Sequence, residues 1–388
     1  MKAGYTFPWR SHNSFQILVD SNNFYPQMLA AIKQAQHFIF LEQYLVSSGE
    51  VFERFIQALT SSARRGVKIF ILFDDYGAQN VTRSDIQQLK QENISFVSYN
   101  PFQWKNLYSS LRRNHRKLLL IDNQTAYVGG AGLSDVYQAI DNQLIHSHAM
   151  NWHDIVLEIK GQVVNDWYLS FAQIWKKCSS IRLPESAIRD QYPGLNQPGR
   201  VILATGPGKN NIIKSALRNI KKSKEYVWIA TPYFLTTRKL RHALSKAAKR
   251  NVDVRLLVPG PISDHAWISH AARRYYRRLL HNGVKIYEYQ PRFLHAKIIL
   301  ADDWISIGSS NLDRWNQFWN LDANQAARDI ELAKQTHYLF ESDFKQCELI
   351  TYDLWKQRPW RQRFSEWWAS YAVRFIQWLV YIASRIRK

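Results

Sequence analysis

The amino-acid sequence predicts an α/β protein built from two related halves, each with a largely parallel sheet between helices. Three observations predict this. A His-x-Lys motif occurs twice, at His115 and at His295, and each copy leads into an apolar run. Amphipathic helices alternate with short apolar strands around both copies, which is the pattern of layered α/β proteins. A segment rich in proline and glycine separates the halves, and an aromatic amphipathic segment ends the chain.

The repeat extends well beyond the two motifs. Residues 30–46 parallel residues 216–235, and each stretch predicts a helix followed by an apolar strand. Residues 55–73 and 240–258 predict a second unit of the same kind. Alternation of helices with buried strands favours a sheet covered on both faces. If a pseudo-two-fold axis relates the halves, both motif strands reach one shared cleft.

The repeat and the composition set the domain boundaries. We expect a first half at 1–185, a linker at 186–200, a second half at 201–350 and an amphipathic tail at 351–388. Proline and glycine interrupt both the helical and the strand period between the halves. A long surface loop within one domain is the alternative for this stretch.

Each motif predicts a histidine and a lysine on the same face of a strand. Side chains alternate along a strand, so His115 points the same way as Lys117, and His295 the same way as Lys297. A histidine supplies a nucleophile or a proton near neutral pH, and a lysine supplies positive charge for phosphate oxygens. A solvent-facing strand would explain one copy alone. Two copies in matching contexts favour one phosphate-handling site made of two half-sites.

Both motifs continue into an aspartate and a glycine. Asp122 precedes Gly129 with six residues between them, whereas Asp302 precedes Gly308 with five, so the second turn or returning strand is one residue shorter. The two aspartates complete the motifs. We expect them to act through a salt bridge or a turn rather than directly in the chemistry.

The segments NHRKLLLID with VGG, LHAKIILAD with IGSSNLD, and the stretch Asn320–Asn324 resemble the phospholipase D superfamily and, within it, the bacterial cardiolipin synthases. The resemblance runs from about Phe15 to about Leu332. It implies two pseudo-two-fold-related phospholipase D-like halves. It also implies transfer of a phosphatidyl group between two phosphatidylglycerol molecules through a phosphohistidine, with release of glycerol and without a cofactor.

The resemblance also implies roles for individual residues. His115 is the expected nucleophile and His295 the expected acid and base, one neutral and the other protonated. The predicted phosphate-binding groups are Lys117, Lys297, Ser309 and Asn311. Asp154 and Asp322 occupy positions where relatives carry an acid that orients a histidine ring. The first copy reads Gly-Gly-Ala-Gly where many relatives carry serine and asparagine.

The composition indicates the setting of this chemistry. A net charge of +21 calls for an anionic partner, either nucleic acid or an acidic membrane surface. The two cysteines, Cys178 and Cys347, fit no metal-binding spacing. The three histidines at 146, 148 and 153 lack an acidic or thiol partner at ligand spacing, which favours a polar loop over a metal site. No metal is therefore expected.

The tail favours a membrane over nucleic acid. Residues 360–388 place one apolar helical face opposite a basic one, as in helices that lie at a lipid interface. That apolar face consists of Phe364, Trp368, Tyr371, Phe375, Trp378 and Ile382. A helix packed on the core is the alternative. The N-terminus lacks the apolar core of a signal peptide. We therefore expect a peripheral protein on the cytoplasmic face of the bacterial inner membrane, with phosphatidylglycerol and other anionic phospholipids as partners; the oligomeric state is open.

The incoming alcohol decides between the possible functions. Water would give a phospholipase or a nuclease of the same fold, and phosphatidylethanolamine is another possible lipid substrate. The positive charge and frequent aromatic residues support a nuclease, but the sequence lacks a recognisable module for single-stranded nucleic acid. Two intact His/Lys pairs argue against a catalytically silent scaffold. No nucleic-acid partner is expected.

Overall fold

The computed structural model describes residues 6–104, 110–138, 151–185, 196–206 and 209–359. Its first half alternates strands with helices, as the repeat predicts. The strands are β1 (Arg10–Val19), β2 (Phe38–Gln43), β3 (Lys68–Asp74), β4 (Ser95–Tyr99), β5 (Leu118–Ile121), β6 (Thr125–Gly129) and β7 (Ile155–Gly161). The helices are α1 (Ser21–Gln34), α2 (Glu50–Arg64), α3 (Arg83–Gln91) and α4 (Val163–Cys178), with a 3₁₀ turn at Asp135–Tyr137.

The second half repeats this order of elements. Its strands are β8 (Gln197–Ala204), β9 (Tyr226–Ala230), β10 (Asp253–Pro259), β11 (Lys285–Tyr289), β12 (Ile298–Ala301), β13 (Trp304–Gly308), β14 (Asp322–Arg328) and β15 (Cys347–Ile350). Its helices are α5 (Asn211–Lys222), α6 (Arg238–Ala248), α7 (Ala266–Arg273), α8 (Tyr276–His281), α9 (Arg314–Trp319), α10 (Ile330–Phe344) and α11 (Tyr352–Lys356).

All fifteen described strands join into one sheet, which runs through both halves. The strand order is β15-β11-β10-β9-β12-β13-β14-β8-β1-β7-β6-β5-β2-β3-β4. Apart from β15, the order reads the same outward in both directions from the antiparallel β8–β1 seam. The α/β class with two pseudo-two-fold-related halves is therefore confirmed, and the two sheets of the prediction are one continuous sheet.

The strand directions correct the expectation of largely parallel sheets. Between the described strands, parallel pairing is confined to β2-β3-β4 and β9-β10-β11, and the other strand pairs are antiparallel. Two of the antiparallel pairs arise at the motif strands, because a short turn joins β5 to β6 and another joins β12 to β13, so each pair forms a hairpin. Three residues connect Ile121 to Thr125, and two connect Ala301 to Trp304. The missing residue of the second motif therefore lies in its turn.

A shared apolar core joins the two halves. One cluster of buried side chains runs from Trp167 and Phe171 on α4 to Trp228 on β9 and Phe340 on α10. Two further clusters fill the other side of the sheet, one in each half. Because side chains from both halves pack together in the first cluster, the fold holds the two motif strands in a fixed relation.

The predicted linker and tail are partly integrated into the second half. Strand β8 begins at Gln197, within the predicted linker, and residues 186–195 lie outside the described residues. Trp355 on α11 is buried, and its ring lies 5.0 Å from that of Tyr276. The interfacial helix predicted at 360–388 lies outside the described residues. Within the described part of the chain, no helix has the length and apolar character needed to cross a membrane.

Candidate active site

Backbone hydrogen bonds across the seam bring the two motifs together. The His115 N–H donates to the carbonyl of Leu321 over 2.9 Å, and the His295 N–H donates to that of His153 over 2.8 Å. Each motif histidine is thus tied to a segment of the other half. The next residue along each of those segments is a predicted orienting acid, Asp322 or Asp154.

The two acids bind the two histidines crosswise. His115 Nδ1 lies 2.9 Å from Asp322 Oδ1, and His295 Nδ1 lies 2.5 Å from Asp154 Oδ2. An ionised carboxylate can only accept, so each ring carries its hydrogen on Nδ1. That tautomer leaves the Nε2 lone pair free for chemistry. The sequence proposed these acids, but only the structure shows that each serves the histidine of the opposite half.

The motif lysines are buried beside the histidines. Lys117 Nζ donates to the His115 carbonyl over 2.8 Å and lies 5.0 Å from the centre of the Tyr44 ring. Lys297 Nζ donates to the His295 carbonyl. Burial lowers the pKa of Lys297 to about 8. Burial, followed by repulsion from Lys297, also lowers the pKa of Lys117. Because both lysines are buried, water screens their charges poorly, and these charges act strongly on an anion bound beside them.

Burial and the neighbouring lysines favour the neutral form of both histidines in the free site, whereas the expected reaction uses one neutral and one protonated ring. Burial, then the charge of Lys117, lowers the pKa of His115 to about 4. Burial, then the charge of Lys297, lowers the pKa of His295 to about 3. Burial alone would raise the pKa of Asp322, but its bonds with His115 and Ser309 lower it. The free site is therefore set up for nucleophilic attack.

Ser309 and Asn311, which follow the second motif, contact different parts of the site. Ser309 Oγ donates to Asp322 Oδ1 over 2.8 Å, so it supports the orienting acid. Asn311 lines the cleft, and its Oδ1 is buried without a hydrogen-bond partner among the described residues. In the first half, a Cβ on Gly130 would lie 2.4 Å from Asp154 Oδ1. Glycine is needed at 130 because the acid packs against its backbone.

The motif aspartates lie apart from the histidines, at the far ends of the motif strands. The Asp122 carboxylate accepts hydrogen bonds of 2.8–2.9 Å from the backbone N–H groups of residues 36–38. The Asp302 carboxylate accepts bonds of 2.8–3.1 Å from those of residues 224–226. Each aspartate thus fastens its turn to the start of a neighbouring strand, β2 or β9. This geometry supports a structural role and leaves neither carboxylate in the cleft.

The histidines open into a cleft of about 720 Å³, whose lining includes several tyrosine and tryptophan side chains. The Tyr44 ring lies 4.8 Å from that of His115, and the Trp152 ring lies 4.8 Å from that of His295. Sequence reasoning did not assign these rings to the site, nor Tyr137, Tyr233, Asp264 and Trp267. One available signal was the matched position of Tyr44 and Tyr233 near the ends of corresponding strands. Another was the position of Trp152 two residues before Asp154.

The His153 ring lies between two carboxylates that join the two halves of the protein. Its two ring nitrogens lie 2.8 Å from Asp20 and 3.2 Å from Asp343. Burial alone would lower the pKa of His153, but these two carboxylates raise it to about 9. Within the described part of the chain, no group of three side chains is arranged to hold a metal ion. Positions 146 and 148 of the predicted loop lie outside that part.

Two α/β halves that share paired histidines and lysines define a phospholipase D-like protein. A family model described as cardiolipin synthase, phospholipase D-like domain, matches residues 28–173 and 216–344, one match in each half. The chain belongs to this family.

Individual relatives agree with this membership. A cardiolipin synthase of Clostridium perfringens (strain SM101 / Type A) is 32% identical over 92% of this chain and 76% of its own length. One of Alkalihalophilus pseudofirmus is 31% identical over 90% and 70%. The crystal structure of a phosphatidylserine synthase from Haemophilus influenzae Rd KW20 is similar with a TM-score of 0.73. It is 13% identical and covers 96% of this chain and 95% of its own, so it supports the fold.

Proposed function

We propose that this protein is a cardiolipin synthase that transfers a phosphatidyl group between two phosphatidylglycerol molecules through a phosphohistidine on His115. The observation that carries the proposal is the crosswise pairing of two histidines with acids of the opposite half, beside two buried lysines. Similarity to cardiolipin synthases over most of the chain supports phospholipid substrates.

In the first displacement, the neutral Nε2 of His115 attacks phosphorus. Lys117, Lys297 and the Asn311 amide hold the nonbridging oxygens and stabilise the added negative charge of the transition state. The bond from phosphorus to the oxygen of the headgroup glycerol breaks. The leaving oxygen needs a proton, which His295 supplies after the bound phosphodiester, a negative charge near the ring, has raised its pKa. Glycerol departs, and the phosphatidyl group remains on His115.

In the second displacement, His295 is neutral and acts as a base. It removes a proton from the free hydroxyl of a second phosphatidylglycerol, and that oxygen attacks the phosphohistidine. The bond between phosphorus and His115 breaks, cardiolipin forms, and His115 is neutral again. His295 now carries the proton taken from the hydroxyl, and it releases that proton to water when cardiolipin leaves the site. The division of roles follows the family resemblance, since the geometry of the two rings is nearly the same.

The test is to incubate the full chain with phosphatidylglycerol vesicles and to identify the products by mass spectrometry. We expect cardiolipin and glycerol in equal amounts; phosphatidic acid alone would indicate hydrolysis and overturn the proposal. His115→Ala and His295→Ala should each lower turnover by roughly a thousandfold or more. A phosphoenzyme trapped by acid should carry its label on His115, and a label on His295 would reverse the two roles. Asp302→Asn serves as the control outside the cleft.

The proposed setting is the cytoplasmic face of the bacterial inner membrane, with peripheral binding through residues 360–388. Its support is the amphipathic pattern and the basic charge of that segment. A chain that ends at Pro359 should keep near-normal turnover on a short-chain soluble phosphatidylglycerol. It should lose most binding to anionic vesicles, and binding of the full chain should weaken as salt rises. Unchanged vesicle binding of the shortened chain would move the contact elsewhere, with Arg273–Arg278 the next candidate.

A further inference from the structure

Two carboxylates, Asp264 and Asp313, line a cleft that is otherwise built for an anion, and Asp313 accepts a hydrogen bond from the Asn316 N–H. Asp264 lines the cleft beside Tyr233, whose hydroxyl donates to Asp264 Oδ2. The ring of His265 lies 3.8 Å from the same oxygen. The other oxygen, Oδ1, is buried and has no hydrogen-bond partner among the described residues. A buried acceptor without a donor is costly, so this oxygen marks a position where a bound molecule would donate.

Asp264 lies on the His295 side of the cleft. Its charge acts on Lys297, and that of Lys297 acts on it. A chain of rings leads from there to the acid and base: the Tyr233 ring lies 6.3 Å from that of Phe293, which lies 5.8 Å from that of His295. In the proposed reaction this is the side on which the alcohol leaves and enters, because the nucleophile His115 must attack phosphorus from the opposite direction.

Asp74, a buried acid of the first half, has no oxygen left to accept a hydrogen bond from a ligand. Asp74, at the end of β3, accepts a 2.7 Å bond from the Asn114 N–H and bonds of 3.1 Å from the N–H groups of Tyr76 and Gly77. Its carboxylate also lies 3.4 Å from Arg113 Nη1. Both oxygens of Asp74 are therefore occupied by the protein, whereas Asp264 keeps one oxygen for a ligand.

The chemistry of the cleft limits what that ligand is. A carboxylate repels a phosphodiester, so Asp264 is unsuited to the phosphate itself and suited to a hydrogen-bond donor. Lys297 is buried on the same side and disfavours a second cation, which argues against an ammonium group. We propose that Asp264, with Tyr233 and His265, forms an alcohol subsite that recognises the hydroxyl groups of a glycerol headgroup. This inference rests on the proposed function, and it assigns the specificity for the glycerol that leaves and for the lipid that enters.

The experiment separates recognition of the alcohol from the first displacement. The donor is phosphatidyl-p-nitrophenol in mixed micelles, because its leaving group offers no hydroxyl to Asp264 and its release measures formation of the intermediate. Dihexanoyl phosphatidylglycerol, dihexanoyl phosphatidylethanolamine and 1-propanol then compete for the same intermediate. The readout is the ratio of transfer to phosphatidylglycerol over transfer to propanol. The burst of nitrophenolate measures formation of the phosphohistidine, so a smaller burst in a variant indicates an effect on the first displacement rather than on alcohol recognition.

We expect Asp264→Ala to lower this ratio by roughly 10-fold to 100-fold, the effect of losing a hydrogen bond to a charged group. Asp264→Asn keeps the volume of the side chain and should show a smaller decrease, so the result does not depend on the alanine variant being folded. Tyr233→Phe removes the hydroxyl that donates to Asp264 Oδ2 and should lower the ratio by a smaller factor than Asp264→Ala, because the carboxylate itself remains. Asp75→Asn removes the same charge outside the cleft and is the matched control.

Three outcomes would count against the inference or its basis. A ratio within about twofold of the unmodified enzyme in both Asp264 variants would overturn the subsite. Selective loss of transfer to phosphatidylethanolamine, with transfer to phosphatidylglycerol retained, would overturn the preference for hydroxyl groups. If the unmodified enzyme releases nitrophenolate but transfers to neither lipid, the proposed function itself fails, and that result is distinct from the other two.

Discussion

The two halves place equivalent histidines and lysines in the site, but polar residues support them in the first half and apolar residues support them in the second. Strand register aligns them: Glu42 pairs with Leu118, and Ala230 pairs with Ile298, each of which lies three residues beyond its motif histidine. At five matching positions the first half carries buried polar or charged residues and the second half carries buried apolar ones. The pairs are Glu42 and Ala230, Asp74 and Pro259, Arg113 and Phe293, Asn114 and Leu294, and Arg116 and Ala296.

The first half supports its histidine through a buried hydrogen-bond network. Asn114 Nδ2 donates to Glu42 Oε1 over 2.7 Å, and the Asn114 N–H donates to Asp74 over the same distance. Arg116 Nη1 donates to Ser170 Oγ on α4 over 2.9 Å. In the second half, packing replaces this network. The Phe293 ring lies 5.0 Å from that of Trp152, and Leu294 is fully buried.

This difference shows that both halves keep a histidine, a lysine and a crossed acid, whereas the residues that support them differ in polarity. A charged network is sensitive to the loss of any one partner, because the remaining charge stays buried. An apolar support is sensitive mainly to lost volume. With Pro259 where the first half has Asp74, the second half has no acid in the supporting network, and Asp264, which lines the cleft, lies five residues further along the chain.

The largest expected effect tests whether the crossed acids are equivalent. Asp322→Asn and Asp154→Asn should each lower kcat by roughly 10² to 10⁴, because the amide no longer fixes the histidine tautomer or stabilises the charged ring. Turnover of phosphatidylglycerol with acid quench is the measurement. We expect less phosphoenzyme in the Asp322 variant, whose acid serves the nucleophile. Normal turnover in either variant would show that one half works without its partner.

The next effect separates charged support from apolar support. Asp74→Ala leaves Arg113 buried without its carboxylate and should lower the free energy of unfolding by about 3 to 5 kcal/mol. Leu294→Ala should cost about 2 to 5 kcal/mol through lost packing. Urea unfolding measures both, and only the Asp74 effect should vary with pH. If Asp74→Ala costs no more than a typical surface substitution, the network does not stabilise the first half.

His153 joins the halves, and its stabilising effect should depend on pH. Its pKa of about 9 lies above the ordinary 6.5, so its contribution is fully present below pH 6.5 and is lost as pH rises through 9. The change should be roughly 3 kcal/mol. His153→Gln should flatten the dependence of unfolding free energy on pH between 6.5 and 9. His115 and His295 have lowered pKa values and act oppositely, because their contribution is lost as pH falls below 6.5. If the free energy of unfolding of the variant still falls with pH between 6.5 and 9 as in the unmodified protein, other groups cause that dependence.

The smallest effect should be alike in the two halves. Asp122→Ala and Asp302→Ala each leave three backbone N–H groups to water and should lower the free energy of unfolding by about 1 to 2 kcal/mol. Turnover measured on folded protein should stay within a few-fold of normal, since neither carboxylate lies in the cleft. A loss of turnover comparable to that of the histidine variants would return these aspartates to the chemistry.

The sequence by itself determined the α/β class, the duplication and the two His/Lys pairs, because these depend on short-range periodicity and on which side chains share a strand face. The family resemblance added Asp154 and Asp322 as orienting acids, and left open which histidine each one binds. Tertiary structure decided that pairing, which links residues 207 and 141 positions apart. It also decided the single mixed sheet, the attachment of Asp122 and Asp302 to neighbouring strands, and the burial that lowers the pKa of both histidines. Each of these depends on burial and on contacts between distant segments, which the local sequence pattern does not encode.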